Sequence, residues 1–326
     1  MKTPRFWQAR TLVSTALLPL SALYRFGAHL DRRCTKPRRA PLPVIAIGNV
    51  TAGGAGKTPT VLALIPLLQA LGHTPHILTR GYAAHHRLPI PRRVTPERDW
   101  RDVGDEALLL AAAAPTWVSP NRLVAAAEAA KAGATVLVCD DALQHHALHK
   151  DISLLVIDGP YGIGNGRLLP AGPLRESLTG ATRRCDAALL IGADLQKLTP
   201  QISLPLFAGA LAPTEPTTSL QGARVLAFAG IGRPEKFYMT LRELGAEIVA
   251  TVSFADHHAY RKREIKHLIA QAQKLGAIPI TTAKDAVKIP ADLRDAVQVL
   301  PVELKLENAP ALQRFLAEKL ARAQSS

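Results

Sequence analysis

A glycine-rich loop placed directly after an apolar, β-branched run constrains this chain more than any other segment. The run VIAIG (44–48) is typical of a buried strand, and NVTAGGAGKTPT (49–60) follows it at once. Gly53, Gly54 and Gly56 allow the backbone to curl so that its N–H groups converge on an anion, and the next helix adds the partial positive charge of its N-terminus. The sequence therefore predicts a strand, a phosphate-binding loop and a helix.

The side chains of this loop fit the Walker A pattern for a nucleoside triphosphate. Lys57 can reach the β- and γ-phosphates, and the Thr58 hydroxyl can hold Mg²⁺. The expected nucleotide contacts are Thr51, Ala52, Gly53, Gly54, Ala55, Gly56, Lys57 and Thr58, with Thr51 where the generic pattern has glycine. A glycine-rich turn with an incidental lysine is the alternative, and it explains neither the strand–helix context nor the three glycines.

A second apolar run, TVLVCDD (135–141), ends in two acids. Asp140 or Asp141 can reach Mg²⁺ directly or through water, as the acid at the end of a strand does in P-loop enzymes. The alternative for one of them is the N-cap of a helix. The sequence leaves open which of the two lies nearer the metal.

Strand-like runs alternate with helical stretches, which is typical of an α/β fold with helices on both faces of a parallel sheet. The expected strands of the first part lie at 44–48, 135–140, 152–158 and 187–192, with helices at 57–71, 105–114 and 121–132. Pro66 predicts a kink in the first helix.

A connector rich in Pro, Ser and Thr at 195–222, with one strand in it, separates this part from a second βα series. The second series has expected strands at 224–230, 246–252, 277–282 and 297–303 and helices at 234–245, 260–275 and 308–322. We therefore expect a basic N-terminal segment (1–40), a P-loop domain (41–220) and a smaller α/β domain (221–326).

The N-terminal segment predicts contact with a membrane surface. Residues 1–40 hold nine basic side chains and one acid, around an uncharged stretch at 11–24. As a helix, this stretch reaches about 21 Å, less than the about 30 Å of a hydrocarbon core. We expect an interfacial or partly inserted helix, with the cations at 32–39 on anionic lipid. A helix packed on the protein's own core is the alternative, and a cleaved signal peptide would separate the nucleotide site from ATP.

The cysteines and the charge exclude several other classes of protein. Cys34, Cys139 and Cys185 are odd in number and far apart in sequence, which suggests neither a disulfide framework nor a zinc site and fits a reducing compartment. Guanine-specific GTPases carry Asn-Lys-x-Asp, and none of the asparagines here has that sequel. A transport ATPase and a small-molecule kinase both stay open on the Walker motifs alone.

Ordered blocks elsewhere in the chain decide between these classes. They are LTRGY (78–82), VGDEALLL (103–110), CDDALQHH (139–146), GRLLPAGPLRE (166–176), FAGIGRPEKF (228–237), FADHHAY (254–260) and TTAKDAVK (281–288). With the glycine-rich loop, they make the chain resemble the tetraacyldisaccharide 4′-kinase family, the lipid A 4′-kinases of Gram-negative bacteria, from about residue 44 to 290. Ala283 stands where the family pattern has Glu.

The resemblance implies two α/β/α domains with the nucleotide between them and a basic N-terminal helix on the cytoplasmic face of the inner membrane. It implies transfer of the γ-phosphate of ATP to the 4′-hydroxyl of a tetraacyl glucosamine disaccharide 1-phosphate. The expected cofactors are ATP and Mg²⁺. The expected partners are the lipid A disaccharide precursor and an anionic membrane surface, with no nucleic acid and with a monomeric chain.

The resemblance also implies roles for particular residues. Asp105 and His257 would act as a pair that takes the proton of the sugar hydroxyl, and Lys57 and Arg175 would stabilise the γ-phosphate. The expected metal and phosphate group is Thr58, Asp140, Asp141, Gln144 and Glu176, and the expected lipid or nucleotide contacts are Arg80, Tyr82, Arg122 and His145.

From the residues alone, alternatives to these roles stay open. The acids of VGDEALLL fit the first turn of a helix, where the macrodipole favours them. The histidines at 257–258 fit a polar loop, and LRE (174–176) fits a surface salt bridge.

Overall fold

The structure is a computed structural model in which residues 4–81, 90–95, 98–214 and 220–324 are described. In chain order, the strands are β1 (Val44–Gly48), β2 (Pro75–Thr79), β3 (Arg92–Arg93), β4 (Thr116–Val118), β5 (Val136–Cys139), β6 (Ile152–Asp158), β7 (Ala187–Ile191), β8 (Leu206–Pro213), β9 (Arg224–Ala229), β10 (Glu247–Ser253), β11 (Ile278–Thr282), β12 (Gln298–Leu300) and β13 (Val302–Leu306). The α-helices are α1 (Leu12–Ala16), α2 (Leu18–Cys34), α3 (Lys57–Ala70), α4 (Trp100–Val103), α5 (Asp105–Ala111), α6 (Arg122–Lys131), α7 (Leu178–Thr182), α8 (Pro234–Glu243), α9 (Lys262–Lys274), α10 (Ala283–Ala286) and α11 (Ala309–Gln324). Short 3-10 helices lie at Arg5–Trp7, Thr199–Gln201 and Ala291–Ala296.

The first sheet has the strand order β13-β8-β7-β6-β1-β5-β2-β4-β3 among the described residues. Its strands from β8 to β4 run parallel, whereas β13 and β3 pair antiparallel at the two edges. The carboxyl ends of parallel strands meet at one edge of a sheet, so the loops after β1, β5 and β6 gather there. The predicted α/β fold with a parallel sheet is confirmed, and the edge strands make the sheet mixed.

Apolar side chains bury both faces of the first sheet. One face, with Leu155, packs against α6 through Ala126, and the other, with Ile45, packs against α3 and α11 through Leu64 and Leu316. All five side chains are fully buried. Each large aliphatic side chain buried in this way contributes about 1.5–3 kcal/mol to the stability of the fold, which fixes the helices on the sheet.

The second sheet has the order β10-β9-β11-β12, with all strands parallel. Helix α8 covers one face through Phe237 and Leu241, and α9 covers the other through Ile265 and Leu268. The ends of β9 and β10 therefore present the loops at 230–233 and 254–260 on one side of this sheet.

The C-terminal segment returns to the first sheet. The single strand expected at 297–303 is wrong, because Pro301 separates β12 of the second sheet from β13 of the first. Proline has no N–H to give to a strand ladder, which favours a break at that point. Strand β13 pairs with β8, and α11 packs on α3. Residues 302–324, which the sequence analysis grouped with the smaller domain, thus lie on the larger sheet.

Several other elements differ from the expectations. Strands β2, β3 and β4 were not expected, and the helix expected at 105–114 ends at Ala111. Pro66 lies inside α3, which continues from Lys57 to Ala70. The strand expected within the connector is β8.

The N-terminal helices turn their polar side towards the protein. Ser21 donates to the carbonyl oxygen of Leu168 at 2.9 Å, and Arg167 donates to the Ser14 hydroxyl at 2.8 Å. Large apolar side chains point outward instead, with Leu23 65% and Phe26 62% exposed. The helix is therefore not packed on the core by its apolar face, which was the alternative to a membrane contact. Within the described residues, no helix combines the length and the hydrophobicity that a membrane span requires.

Candidate active site

The loop between β1 and α3 has the backbone that its glycines predict. Gly53 has φ +109° and Gly56 has φ +88°, a left-handed region that side chains other than glycine rarely adopt. A Cβ at Gly56 would also lie 2.5 Å from the Ile191 Cδ1 atom of β7. Both the backbone angle and the close approach therefore require glycine where the loop enters the helix.

The Lys57 ammonium group lies among the residues expected to hold a nucleotide. It donates to Asn49 Oδ1 at 3.1 Å and lies 3.8 Å from Asp141 Oδ1. The Asn49 side chain is buried, and its amide donates to the carbonyl oxygen of Thr51 at 2.7 Å. Asn49 therefore fixes both the loop and the lysine, although it belongs to no generic Walker pattern.

The two acids after β5 have opposite electrostatic environments. Burial, with a further contribution from Glu106, raises the pKa of Asp140 to about 7. Burial also raises the pKa of Asp141, but Lys57 and Arg175 outweigh it, so the pKa lies below its usual value. Asp141 adopts φ +46°, and no helix follows it before α7 in the continuous stretch 98–214. The N-cap alternative is therefore wrong for both acids.

The residues present fit a Mg²⁺ ion that is shared with a nucleotide. Asp140 Oδ1 is buried and has no hydrogen-bond partner, which leaves one carboxylate oxygen available in the site. Within the described ranges, no group of three or more His, Cys, Asp or Glu side chains converges as a complete metal site. Mg²⁺ in phosphotransferases is bound by one or two carboxylates together with phosphate oxygens and water, so this is the donor set expected.

One hydrogen-bond network joins Asp141 to Arg175, Gln144 and Glu176. Arg175 Nη1 donates to the two Asp141 oxygens at 2.9 and 3.0 Å. Gln144 donates to the Asn49 carbonyl oxygen at 3.0 Å and to Glu176 Oε1 at 2.9 Å. The structure thus brings together Asp141, Gln144, Arg175 and Glu176 of the predicted residues. Arg175 and Glu176 do form ion pairs, with Asp141 and Arg184 respectively.

Asp105 and His257 meet across the two sheets. His257 Nδ1 lies 3.0 and 2.9 Å from the two Asp105 carboxylate oxygens, and Asp105 is completely buried at the start of α5. His257 has φ +59°, a strained conformation for a residue with a side chain. Burial raises the pKa of Asp105, but the hydrogen bond from His257 and the charges of Lys284 and Lys288 lower it more, so this carboxyl remains ionised.

The four residues predicted to contact the lipid or the nucleotide have different environments. Arg122 is buried and donates to the carbonyl oxygens of Asp140 at 2.8 Å and Asp141 at 3.2 Å, so it supports the turn that carries the acids. Burial and nearby cations lower the pKa of His145 to about 4, which keeps its imidazole neutral. Arg80 is exposed, and Tyr82 lies outside the described residues.

A second set of ion pairs joins the two sheets next to the glycine-rich loop. Asp158, at the end of β6, is buried and accepts from Arg233 and Lys236 of the second sheet, each at 2.5 Å. A Cβ at Gly232 would lie 3.4 Å from Asp256 Oδ2 and 3.6 Å from the Gly54 nitrogen. The loops of the second sheet therefore border the phosphate-binding loop directly.

Comparison with known proteins identifies the family. The sequence profile for tetraacyldisaccharide-1-P 4′-kinases matches residues 13–321. The chain belongs to the tetraacyldisaccharide-1-P 4′-kinase family. Among the curated relatives, the tetraacyldisaccharide 4′-kinase of Rhodospirillum centenum is 46% identical over 98% of this chain and 97% of its own. That of a Methylobacterium species is 47% identical over 98% of this chain and 97% of its own.

A solved structure of the same family has a similar fold. It is a crystal structure of an "apo" form of LpxK from Aquifex aeolicus in complex with ATP. The two chains are 29% identical and superpose with a TM-score of 0.75, over 95% of this chain and 100% of the other. Both the sequence and the fold thus agree with the family resemblance inferred from the motifs.

Sequence reasoning missed several residues that the structure places in this site. Asp158 ends the apolar run of β6 as Asp140 ends that of β5, so the same signal was available for it. Glu106 and Lys284 lie within the family blocks, but a charged residue in a block carries no sign of what it faces. Lys284 Nζ lies 3.0 Å from Glu106 Oε1 and 3.3 Å from His257 Nε2, a contact that only the meeting of the two sheets creates.

Proposed function

We propose that the chain transfers the γ-phosphate of ATP to the 4′-hydroxyl of a tetraacyl glucosamine disaccharide 1-phosphate, forming the 4′-phosphate of lipid IVA in lipopolysaccharide biosynthesis. The observation that carries this proposal is the pairing of Asp105 with His257 in a chain of this family. Asp105 begins α5, His257 follows β10 of the second sheet, and the two meet beside the phosphate-binding loop. A base at that position has a purpose in a kinase, because an alcohol must lose its proton as it becomes a phosphate ester.

ATP is the proposed phosphate donor. The glycine-rich loop, the Lys57 ammonium and the Thr58 hydroxyl provide the contacts that P-loop enzymes use for the β- and γ-phosphates. The relative from Aquifex aeolicus was solved in complex with ATP, which supports the same nucleotide here.

The proposed base is His257, held by Asp105. In this mechanism the sugar oxygen forms a bond to the γ-phosphorus while the bond from that phosphorus to the β–γ bridging oxygen breaks, and ADP leaves. The hydroxyl proton passes to His257 Nε2 as the new bond forms. Asp105 accepts from His257 Nδ1, which orients the ring and stabilises the positive charge that develops on it.

Magnesium is the proposed metal, held by Thr58 and Asp140 with support from Asp141, Gln144 and Glu176. When bound, Mg²⁺ neutralises charge on the phosphate oxygens. Lys57 and Arg175 provide the fixed positive charge of the chain itself, and both lie beside Asp141. Fixed cations at this position would stabilise the negative charge of the phosphate oxygens.

The acceptor is anionic, and the structure has a cavity with cationic side chains in its lining. The cavity has a volume of about 270 Å³ and lies between the end of α2 and the segment after Leu143. Its lining includes the cationic side chains Arg32, Lys150 and Arg184 and the imidazoles of His146 and His149. Arg184 contacts Glu176, which also accepts from Gln144, and Arg175 donates to both Gln144 and Asp141. This cavity is therefore connected to Asp141 through hydrogen bonds. We assign it to the 1-phosphate of the disaccharide.

The proposed location is the cytoplasmic face of the inner membrane, with the N-terminal helices lying in the membrane surface. Their exposed apolar side chains are Leu12, Val13, Leu18, Leu20, Leu23, Tyr24, Phe26 and Leu30. Monomeric soluble proteins rarely expose a contiguous apolar patch of this kind, whereas an interfacial helix requires one. A surface-bound enzyme can meet a lipid acceptor that stays in the bilayer.

Transfer of labelled phosphate tests this function. Purified chain in mixed micelles with the tetraacyl disaccharide 1-phosphate and γ-labelled ATP should yield labelled 4′-phosphorylated lipid. Lys57→Ala should abolish most of this label while the protein stays folded, because loss of one such transition-state contact lowers turnover by roughly 10²–10³-fold. Lys131→Ala, at an exposed lysine of α6, is the matched control. ATP hydrolysis without labelled lipid would instead support a transport or regulatory ATPase.

A further inference from the structure

We propose that Lys284 is a positioning residue that fixes which nitrogen of His257 carries the proton. The inference deepens the proposed function and rests on it, because His257 is the proposed base. Neither the motifs nor the generic Walker pattern gives this lysine a role. Three charged side chains contact the His257 imidazole, namely Asp105, Asp256 and Lys284.

The Lys284 ammonium lies beside the Nε2 edge of the His257 ring. It is 3.3 Å from His257 Nε2, 3.0 Å from Glu106 Oε1 and 3.5 Å from Asp256 Oδ1. Glu106 belongs to α5 of the first sheet, whereas the lysine follows β11 of the second. Burial lowers the pKa of Lys284, but Glu106, Asp105 and Asp256 raise it more, so the amine is protonated at any physiological pH.

An ammonium group can only donate hydrogen bonds, so it requires an acceptor at the nitrogen that it faces. His257 Nε2 then has its lone pair towards Lys284. On the other side of the ring, the ionised Asp105 can only accept, so His257 Nδ1 donates to it at 2.9 Å. Both neighbours therefore select the same neutral tautomer, with the proton on Nδ1 and with the lone pair on Nε2, the nitrogen that acts as the base.

Asp256 favours the opposite arrangement. Its Oδ1 atom lies 3.7 Å from His257 Nε2, on the same side of the ring as Lys284. Without the lysine, this carboxylate would attract a proton at Nε2, which is the nitrogen that has to accept the proton of the substrate. Lys284 lies close to both groups, so it neutralises Asp256 and occupies the Nε2 lone pair until a hydroxyl group replaces it as the donor.

The variant Lys284→Met tests this role because it removes the ammonium and keeps most of the side-chain volume. Its His257 should lose the single Nδ1–H state and gain protonation at Nε2. The kcat for phosphate transfer should fall by roughly 10- to 10²-fold, a part of the typical share of general-base catalysis. The KM for ATP should change little, because the lysine is proposed to act through His257.

The tautomer is measured by nitrogen-15 NMR of the full chain labelled at histidine, with His257→Ala to assign the signal. The matched control Lys262→Met removes an exposed, ion-paired lysine of α9, which packs on the second sheet, and should leave both the signal and the rate unchanged. Lys284→Arg keeps a cationic donor and should keep the Nδ1–H state, which also shows that the site tolerates substitution. Adding Asp256→Ala to Lys284→Met removes the competing carboxylate and should restore the Nδ1–H state.

An unchanged Nδ1–H signal in Lys284→Met would overturn the proposal, whatever happens to the rate. A lower kcat with the same tautomer would mean that the lysine acts on the phosphate and not through His257. If the double variant does not restore the signal, Asp256 is not the group that draws the proton to Nε2. The NMR measurement needs no lipid, so it tests the role of Lys284 independently of phosphate transfer. Absence of transfer by the wild-type chain would contradict the proposed function and not the tautomer.

Discussion

The buried carboxyl of Asp140 makes the stability of the protein depend on pH. This carboxyl titrates near 3.9 in an unfolded chain and near 7 in the folded protein. Between these values the unfolded chain has released a proton that the folded chain retains. The free energy of unfolding contributed by this group is therefore highest below pH 4 and falls as the pH rises to about 7.

The expected result is a pH-dependent difference between the wild type and Asp140→Asn. Without Mg²⁺ and nucleotide, the amide variant should gain thermal stability relative to the wild type as the pH rises from 5 to 8, because it has no carboxyl to ionise. Thermal unfolding at both pH values measures this difference, and Asp99→Asn provides an exposed control. A constant difference would mean that Asp140 is ionised throughout this range.

Single residues also show how far the sequence determines the site. The glycines, Lys57 and the acids after β5 were predicted because each needs a particular backbone or the end of a particular strand. Glu106 and Lys284 were not, because their partners are supplied by a different sheet. In the sequence, Lys284 is only a lysine near the start of a short helix. Its partner Glu106 comes from α5, which the local sequence around the lysine does not reveal.

At the scale of elements, runs of buried β-branched residues predicted the central strands well. Strands β1, β6 and β7 lie where four or more apolar residues follow one another. Strand β2 contains Pro75 and His76, and β4 has only three residues, so neither gives a clear pattern. Both strands are buried because α5 and α6 pack on them, and their own residues do not predict this burial.

The N-terminal helices give a prediction that separates charge from hydrophobic contact. Replacing Arg32, Arg33, Lys36, Arg38 and Arg39 by Gln should reduce flotation with anionic vesicles, since each cation near such a surface contributes about 1 kcal/mol. The loss should be larger at low salt than at high salt. Replacing Leu20, Leu23 and Phe26 by Ser should reduce flotation with neutral vesicles too.

The matched control changes the same number of charges on α9 and its N-cap. Arg261, Lys262, Arg263, Lys266 and Lys274 are all exposed, and their replacement by Gln should leave flotation unchanged. Equal losses in both charge variants would show that the total charge of the chain, and not its N-terminal segment, determines binding. Full flotation of a chain without residues 1–40 would contradict the membrane role of the helices.

At the scale of the whole molecule, the chain crosses between its two sheets and then returns. Strand β13 and helix α11 come back to the first sheet after the second is complete. Two connections therefore link the sheets, one near 214–223 and the other at Pro301. The sequence predicted the second βα series but not the return, because antiparallel pairing of β13 with β8 joins residues about ninety positions apart and leaves no local pattern.

The meeting of the two sheets makes Asp105 and His257 a test of the whole arrangement. Each single change, Asp105→Asn or His257→Ala, should lower phosphate transfer by roughly 10²–10⁴-fold if general-base catalysis is the contribution lost. The affinity for ATP should change little, because neither side chain belongs to the glycine-rich loop. The double variant should lose scarcely more than the worse single variant, since two residues that act as one unit fail together. The measurement is a double-mutant cycle on labelled lipid, with ATP binding followed in parallel.

Pairing His257→Ala with Arg175→Ala provides a second cycle as a control. Arg175 pairs with Asp141 and not with His257, so these losses should be closer to additive. Additive losses for Asp105 and His257 would show that their contact at 2.9 Å contributes nothing to catalysis, and intact transfer in either single variant would remove that residue from the mechanism.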